Sequence, residues 1–317
     1  MKASLCAVGL DVGGTKIAGG IVTPDGKVTT KCVVPTLPER GGEAVLNDAL
    51  KQADRLLNEA RAASLDPVCI GVGVGELVDL RGNVTSAQTI HWRGLPVQER
   101  FSTLAPAWVD SDARVAGFCE ASFGAGRRFK SILYITVGTG IGSSLIVDGI
   151  PYAGARGSTG TLASSPMIAI CPYCGVVSHP VLEKIASGPA LLARYHQRSG
   201  KQATSGEEIL AAVAAGDPDA VHVVQTAGET LGATVALLVN VLDPEAVIMG
   251  GGLGSAPGLY WDSFVASTRK HVWSDTHRQL PVLKASYGGD AGFVGAAALA
   301  LRRCQAAADG LTGSVTV

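Results

Sequence analysis

Four short stretches of the chain combine residue types suited to holding phosphate and moving a proton. The first is DVGGTK, Asp11 to Lys16, a tight turn between two apolar runs. Gly13 and Gly14 let backbone N–H groups point outward without side-chain bulk, and Thr15 adds a hydroxyl donor before Lys16 ends the motif. Amides grouped in a concavity bind anions because their partial positive charges converge. Asp11 would repel a bare phosphate, yet it suits hydrated Mg²⁺, which takes one or two carboxylates plus waters and phosphate oxygens. The alternative is an ordinary hairpin. The motif is neither a Walker A loop nor a Rossmann fingerprint, because no GK[ST] or GxGxxG stands here between a strand and a helix.

VGTGIG at Val137 to Gly142 repeats the device, with Thr136 and Thr139 as hydroxyl donors beside Gly138 and Gly140. Two such clamps would grip a polyphosphate. GGGLGSAP follows the apolar run AVIM, and Gly250, Gly251 and Gly252 permit a planar base to lie flat on the main chain, which assigns them to the adenosine end of a nucleotide. Any one glycine turn is weak evidence, but three in this order are hard to explain as plain turns. VDSDA, Val109 to Ala113, sits where an apolar strand gives way to a helix, so Asp112 can reach a ligand lying over the strand ends and accept a hydroxyl proton. The rival reading is that Asp110 or Asp112 caps the helix. In CPYCGVVSHPVLE, Cys171, Cys174 and His179 have zinc-ligand types and spacing. A structural zinc site wants four ligands, and no fourth stands in this loop. A water, a distant residue, an empty site and a reduced surface pair all remain open.

The elements that must position these residues alternate. LCAVGLDV, KIAGGIVT and KVTTKCVVP read as three strands, Glu43 to Ala63 as a helix, VCIGVGV as a buried strand, and AWVDSDARVAGFCEASFG as strand, turn and helix. The pattern then restarts: ILYITVGTGIGSSLIVDG follows the order of CAVGLDVGGTKIAGGIVTPDG. One supersecondary unit used twice would place a Gly/Thr hairpin tip at the same end of each sheet. A loop-rich insertion spans Tyr152 to Pro180, helices are expected at Gly188 to Ser199 and Asp217 to Leu242, and AGFVGAAALALRRCQAAA reads as a closing helix. The division expected is an N-terminal domain 1–120 joined by the helix 291–308, a second domain 121–290, and a loose tail 309–317.

Composition agrees with a globular protein of about two domains. Of 317 residues, 47% are hydrophobic and 17% charged, and the formal charge of −1 gives no net pull toward nucleic acid or a membrane. Seven cysteines, five of them scattered singly, read as reduced thiols in the cytoplasm.

Taken in order, DVGGTK, VDSDA, VGTGIG, the cysteine-bearing loop ending in LEKIASGPAL, and VLDPEAVIMGGG resemble the ROK family of sugar kinases and repressors over residues 5 to 303. The resemblance implies an α/β, actin-like (RNase H-like, hexokinase-type) fold with two domains around a cleft, ATP and Mg²⁺ as cofactors, a small-molecule sugar as substrate, and a homodimer. It implies that Asp112 activates a primary hydroxyl, and that Ser111, Gln88 and Glu183 touch substrate. Ser111 stands where the family has Asn, and Gln88 where it has another Asn. Glu76 replaces a Gly of the family and would face the sugar, or else be a solvent-facing loop acid. Thr161 and Ser164 replace the Glu and His of the family's GExGH, so the ring end is expected to be read differently. Glucose is the default acceptor. An amino sugar or a carbasugar cyclitol is the alternative, and a non-catalytic regulator is the alternative from another class. Trp92 would line the sugar's apolar face or simply pack.

Overall fold

The computed structural model describes residues 3–309, so most of the expected tail lies outside the described residues. The elements run β1 (Ser4–Val12), β2 (Lys16–Val22), β3 (Val28–Pro35), α1 (Gly42–Ala62), β4 (Leu65–Val74), α2 (Val97–Ser102), β5 (Ala107–Ser111) and α3 (Asp112–Ser122). They continue with β6 (Ser131–Val137), β7 (Ile141–Val147), β8 (Ile150–Pro151), β9 (Ala169–Ile170), β10 (Val177–Ser178), α4 (Glu183–Ala186), α5 (Gly188–Ser199), α6 (Gly206–Ala214) and α7 (Pro218–Leu242). The last are β11 (Ala246–Gly250), α8 (Gly252–Ser255), α9 (Leu259–His271), β12 (Val282–Lys284) and α10 (Ala291–Ala308).

Residues 3–128, 144–159 and 289–309 make one compact unit, and 129–143 with 160–288 make a second. The second unit is thus interrupted by a segment that begins inside β7 and packs with the first, which a linear reading of the sequence does not reveal.

The first unit is a five-stranded sheet of order β3-β2-β1-β4-β5. β1 and β2 are antiparallel, whereas β1, β4 and β5 run parallel. β1 and β4 bury long apolar runs because both faces are covered. On one face α1 presents Val45, Leu46, Ala49, Ala53, Leu56, Leu57 and Ala60. On the other lies α10, whose backbone comes so close that a Cβ on Gly9 would sit 1.9 Å from the Phe293 carbonyl oxygen, and one on Gly71 1.9 Å from that of Ala296. Trp92 is fully buried and donates its indole N–H to the Gly42 carbonyl at 3.0 Å, so it is a packing residue.

The second sheet has the order β12-β11-β6-β7-β8, with β11 parallel to both β6 and β12. Its core includes Leu133, Ile135, Val247 and Met249, covered by α7. Among the described residues no helix is long and apolar enough to cross a membrane.

Candidate active site

Three parallel strands of the first unit end level with one another. The register pairs Val12 with Val74 and Val74 with Ser111. The segments that follow, Gly13 to Thr15, Gly75–Glu76 and Asp112, therefore emerge together at the carboxyl edge of the sheet, the usual place for a ligand in an open α/β sheet.

Asp11 is half-buried just inside that edge. Its carboxylate lies against the first turn of α10, where a Cβ on Gly292 would stand 2.2 Å from Asp11 Oδ2. Only glycine leaves this room. Burial, and then the charge of Asp112, push the Asp11 carboxyl up to about 7, with Lys16 offsetting part of the rise.

The turn after Asp11 is tied at several points. Gly13 N–H donates to the Lys16 carbonyl at 3.1 Å, Thr36 Oγ1 donates to the Gly13 carbonyl at 2.6 Å, and Thr36 N–H to the Thr15 carbonyl at 3.1 Å. The Gly13 amide therefore closes the turn instead of pointing outward, while Thr15 and Lys16 are exposed at the tip. Thr89 covers Gly14, its methyl 2.5 Å from where a Cβ would be.

Asp112 opens α3. Neither it nor Asp110 holds the cap position, which belongs to Ser111, and Ser111 makes no side-chain capping bond. Asp112 Oδ1 accepts the Ala113 N–H at 2.6 Å, and a Cβ on Gly75 would lie 3.6 Å from its Oδ2. Burial raises this carboxyl, the Ala113 N–H and Arg114 lower it, and Glu76 raises it again, leaving it at about 6. Asp110 has a different role. It accepts from Arg114 Nε at 2.5 Å and from Arg303 at 3.1 Å, while Arg114 also donates to the carbonyls of Gly157 and Val78, both at 2.8 Å.

Glu76 is 6% exposed, so the solvent-facing alternative does not hold. Its oxygens accept from the Ser86 hydroxyl and from the N–H groups of Gln88 at 3.0 Å, Thr89 at 2.5 Å and Ile90 at 2.9 Å. Burial pushes its carboxyl up, but these hydrogen bonds outweigh it and hold the group below its ordinary value. Gln88 itself is exposed in that loop.

In the second unit, parallel pairing sets Gly250 beside Thr136. Gly251 has φ 81°, and a Cβ on it would stand 2.3 Å from the Val137 carbonyl oxygen, so this position accepts only glycine. Gly252 is exposed with open space around its Cα. The VGTGIG turn and the triple glycine are thus neighbours. Gly138 N–H donates to the Gly140 carbonyl at 2.9 Å, and Gly188 N–H to that of Gly138 at 2.9 Å, leaving Thr139 and Gly140 exposed. Glu183, expected at substrate, accepts the Ile141 N–H at 2.8 Å and so supports this turn from α4. Thr161 begins a short 3₁₀ turn and Ser164 is exposed at its end.

The zinc set is not assembled. The N–H groups of Cys174 and Tyr173, with the Cys174 thiol, hold the Cys171 thiol below its ordinary value. However, the β9–β10 ladder pairs Ile170 with Val177 and Ala169 with Ser178. His179 therefore lies at the base of this hairpin and the cysteines at its tip, about 10 Å of strand away. Among the described residues no three His, Cys, Asp or Glu side chains gather as a metal site, and Cys171, Cys174 and His179 do not fit a four-ligand zinc centre.

Thr36, Thr89, Gly188 and Gly292 were not singled out from sequence. Only Gly292, a glycine opening an alanine-rich helix, left a signal.

The ROK family model matches residues 7–303. The glucokinase of Streptomyces coelicolor is 31% identical over 316 residues, covering 92% of this chain and 96% of its own. A ROK family glucokinase from Streptomyces griseus, solved in complex with glucose and AMPPNP, is 30% identical with a TM-score of 0.81, covering 94% of this chain and 99% of its own. A ROK hexokinase from Thermus thermophilus is 31% identical with a TM-score of 0.78, covering 95% and 99%. The observed α/β architecture is the actin-like, hexokinase-type fold of these neighbours.

Proposed function

The chain belongs to the ROK family, and from that premise we propose that it is an ATP-dependent kinase for the primary hydroxyl of a hexose or sugar-like compound, with glucose the first candidate. The observation that carries the reading is the level ending of three parallel strands that puts Asp11, the Gly13–Thr15 turn and Asp112 at one sheet edge. The relatives named glucokinase, and the neighbour holding glucose and AMPPNP, support it.

Phosphoryl transfer asks a protein for positioning, charge neutralisation and a base, and each part has a candidate. Asp112 accepts the hydroxyl proton as the oxygen bonds to the γ-phosphorus and the bond to the leaving ADP breaks. A carboxyl at about 6 is still ionised at neutral pH, yet is a stronger base than an ordinary aspartate. Thr15–Lys16, exposed at the tip of the first turn, would offer donors to phosphate oxygens, and in the second unit Thr139–Gly140 and Gly250 to Gly252 are the candidates for phosphate and adenosine. Asp11 fits Mg²⁺, because a hard oxygen ligand crowded by a second carboxylate lacks the charge that a cation supplies. Bound there, Mg²⁺ would neutralise phosphate charge. A homodimer in the cytoplasm belongs to the same reading.

The test is ADP release from a panel of hexoses, amino sugars and cyclitols, comparing wild type with Asp112→Asn. Wild type should turn over at least one acceptor, and the variant should lose about 10²- to 10⁴-fold in kcat. Turnover of an amino sugar or cyclitol alone would favour the second acceptor class, since Thr161 and Ser164 are shorter than the residues they replace. Absence of both nucleotide binding and ADP release would overturn the kinase reading.

A further inference from the structure

We propose that Glu76 is a positioning residue that shapes the acceptor side of the site, its buried carboxylate serving as the anion around which Ser86 to Ile90 is wrapped. The inference rests on the kinase reading and deepens it.

Among the described residues the side-chain hydrogen bonds of Glu76 all go to this one loop. Three consecutive N–H groups, from Gln88, Thr89 and Ile90, converge on the two carboxylate oxygens, an arrangement that elsewhere receives a bound anion. The Ser86 hydroxyl donates to Glu76 while accepting the Leu77 N–H at 2.8 Å, which fixes the loop's entrance.

The anchor is itself anchored. Gly75 N–H donates to the Val12 carbonyl at 3.1 Å, and a Cβ at Gly75 would lie 3.6 Å from Asp112 Oδ2 and 4.0 Å from Gly13 Cα. The loop packs in turn on the first glycine turn through Thr89 and Gly14 and leaves the Gln88 side chain exposed. One carboxylate thus links the base, the phosphate turn and the residue expected at the acceptor.

The chemistry also states which acceptors are refused. The N–H cluster that could take an acidic acceptor is already filled by the chain's own carboxylate. Asp112 adds a further carboxylate at the same edge. The favoured acceptor is a neutral polyol, and sugar acids or sugar phosphates are disfavoured.

Glu76→Gln removes the charge and turns an N–H donor toward N–H donors, whereas Glu76→Asp keeps the charge but shortens its reach. Hydrogen exchange of wild type and both variants reads the loop without requiring turnover. The amides of residues 88–90 should exchange at least about tenfold faster in Glu76→Gln, with the amides of α1 unchanged, and Glu76→Asp should lie between. In kinetics, the acceptor KM should rise about tenfold while the ATP KM stays within about twofold. Unchanged exchange at 88–90 would overturn the proposal. So would equal changes in both KM values, which mark an effect not confined to the acceptor side, whereas a loss of folded enzyme alone lowers the apparent kcat and leaves both KM values where they were. If wild type phosphorylates nothing on the panel the kinase reading fails, and the exchange result still decides whether Glu76 holds the loop. Should Glu76→Gln fail to fold, Glu76→Asp alone carries the same comparison.

Discussion

Asp11→Asn should stabilise the protein at alkaline pH while abolishing its activity. A carboxyl whose pKa is higher in the folded chain than in the unfolded one gives stability that is present at low pH and lost as pH rises through the folded value. Asp11 rises from 3.8 to about 7. That is about three pH units, or about 4 kcal/mol at about 1.4 kcal/mol per unit. Solvent at this half-buried carboxylate and relaxation of Asp112 return part of that, leaving about 1–3 kcal/mol at pH 8. Asparagine has the same shape and no charge, so it escapes the cost. In a chain of this size each kcal/mol moves the melting temperature by about 2–4 °C. Thermal unfolding in metal-free buffer should therefore show the variant close to wild type near pH 4.5 and higher by about 2–12 °C at pH 8. Adding Mg²⁺ and a nucleotide should close the gap at pH 8, because a cation at Asp11 supplies the missing charge only in wild type. A difference equal at the two pH values, or reversed in sign, would refute the argument that burial and the charge of Asp112 disfavour the ionised form of Asp11.

Three further perturbations separate the roles of neighbouring parts. Gly292→Ala places a Cβ 2.2 Å from Asp11 Oδ2 and 2.9 Å from Asp11 Cβ. The gain in helix propensity of about 1 kcal/mol offsets only part of an overpacking cost of about 1–3 kcal/mol, so stability should fall by no more than about 2 kcal/mol while kcat falls at least about 10²-fold; wild-type turnover would remove Asp11 from the site. Arg114→Leu strips a guanidinium that is 3% exposed from Asp110 and two carbonyls. Urea unfolding should show a loss of about 3–5 kcal/mol, and a loss below about 1 kcal/mol would show the network to be dispensable. Glu183→Ala leaves the Ile141 N–H without its acceptor. The ATP KM should rise about tenfold with the acceptor KM steady, and the reverse pattern would return Glu183 to the sugar.

The strands and the α/β class were legible because β1 and β4 are long apolar runs with no polar alternation, as a sheet covered on both faces requires, whereas the order of the strands in each sheet was not. The glycine turns were legible because few other residues stand so close to a neighbouring backbone: Gly251 at φ 81° against Val137 is dictated by local geometry. Glu76 was not legible as a loop anchor. Its partners lie ten to fourteen residues downstream, and nothing in the residue types of SAQTIH announces that three amides will converge. The cysteine loop failed in the opposite way: the right ligand types stand at plausible spacing, but antiparallel register sends His179 to the far end of the hairpin. Spacing along a chain becomes distance in space only after the register is known.

The two halves of the weak internal repeat show how one device comes to serve two purposes. In both, a glycine N–H closes the hairpin tip, Gly13 onto Lys16 and Gly138 onto Gly140, and a segment outside the hairpin ties down the same glycine's neighbourhood, Thr36 in one case and Gly188 in the other. The acids differ. In the first unit the carboxylate stands on the strand itself, and burial and a second carboxylate push it up to about 7. In the second, the carboxylate arrives from α4 and its charge meets the Ile141 amide, so the tip keeps Thr139 and Gly140 as uncharged contacts. Exchanging the two acids, by placing Asp at Thr136 and removing it from position 11, should therefore not restore ADP release to Asp11→Asn, because the carboxylate that neighbours the second turn, Glu183, is already met by the Ile141 amide.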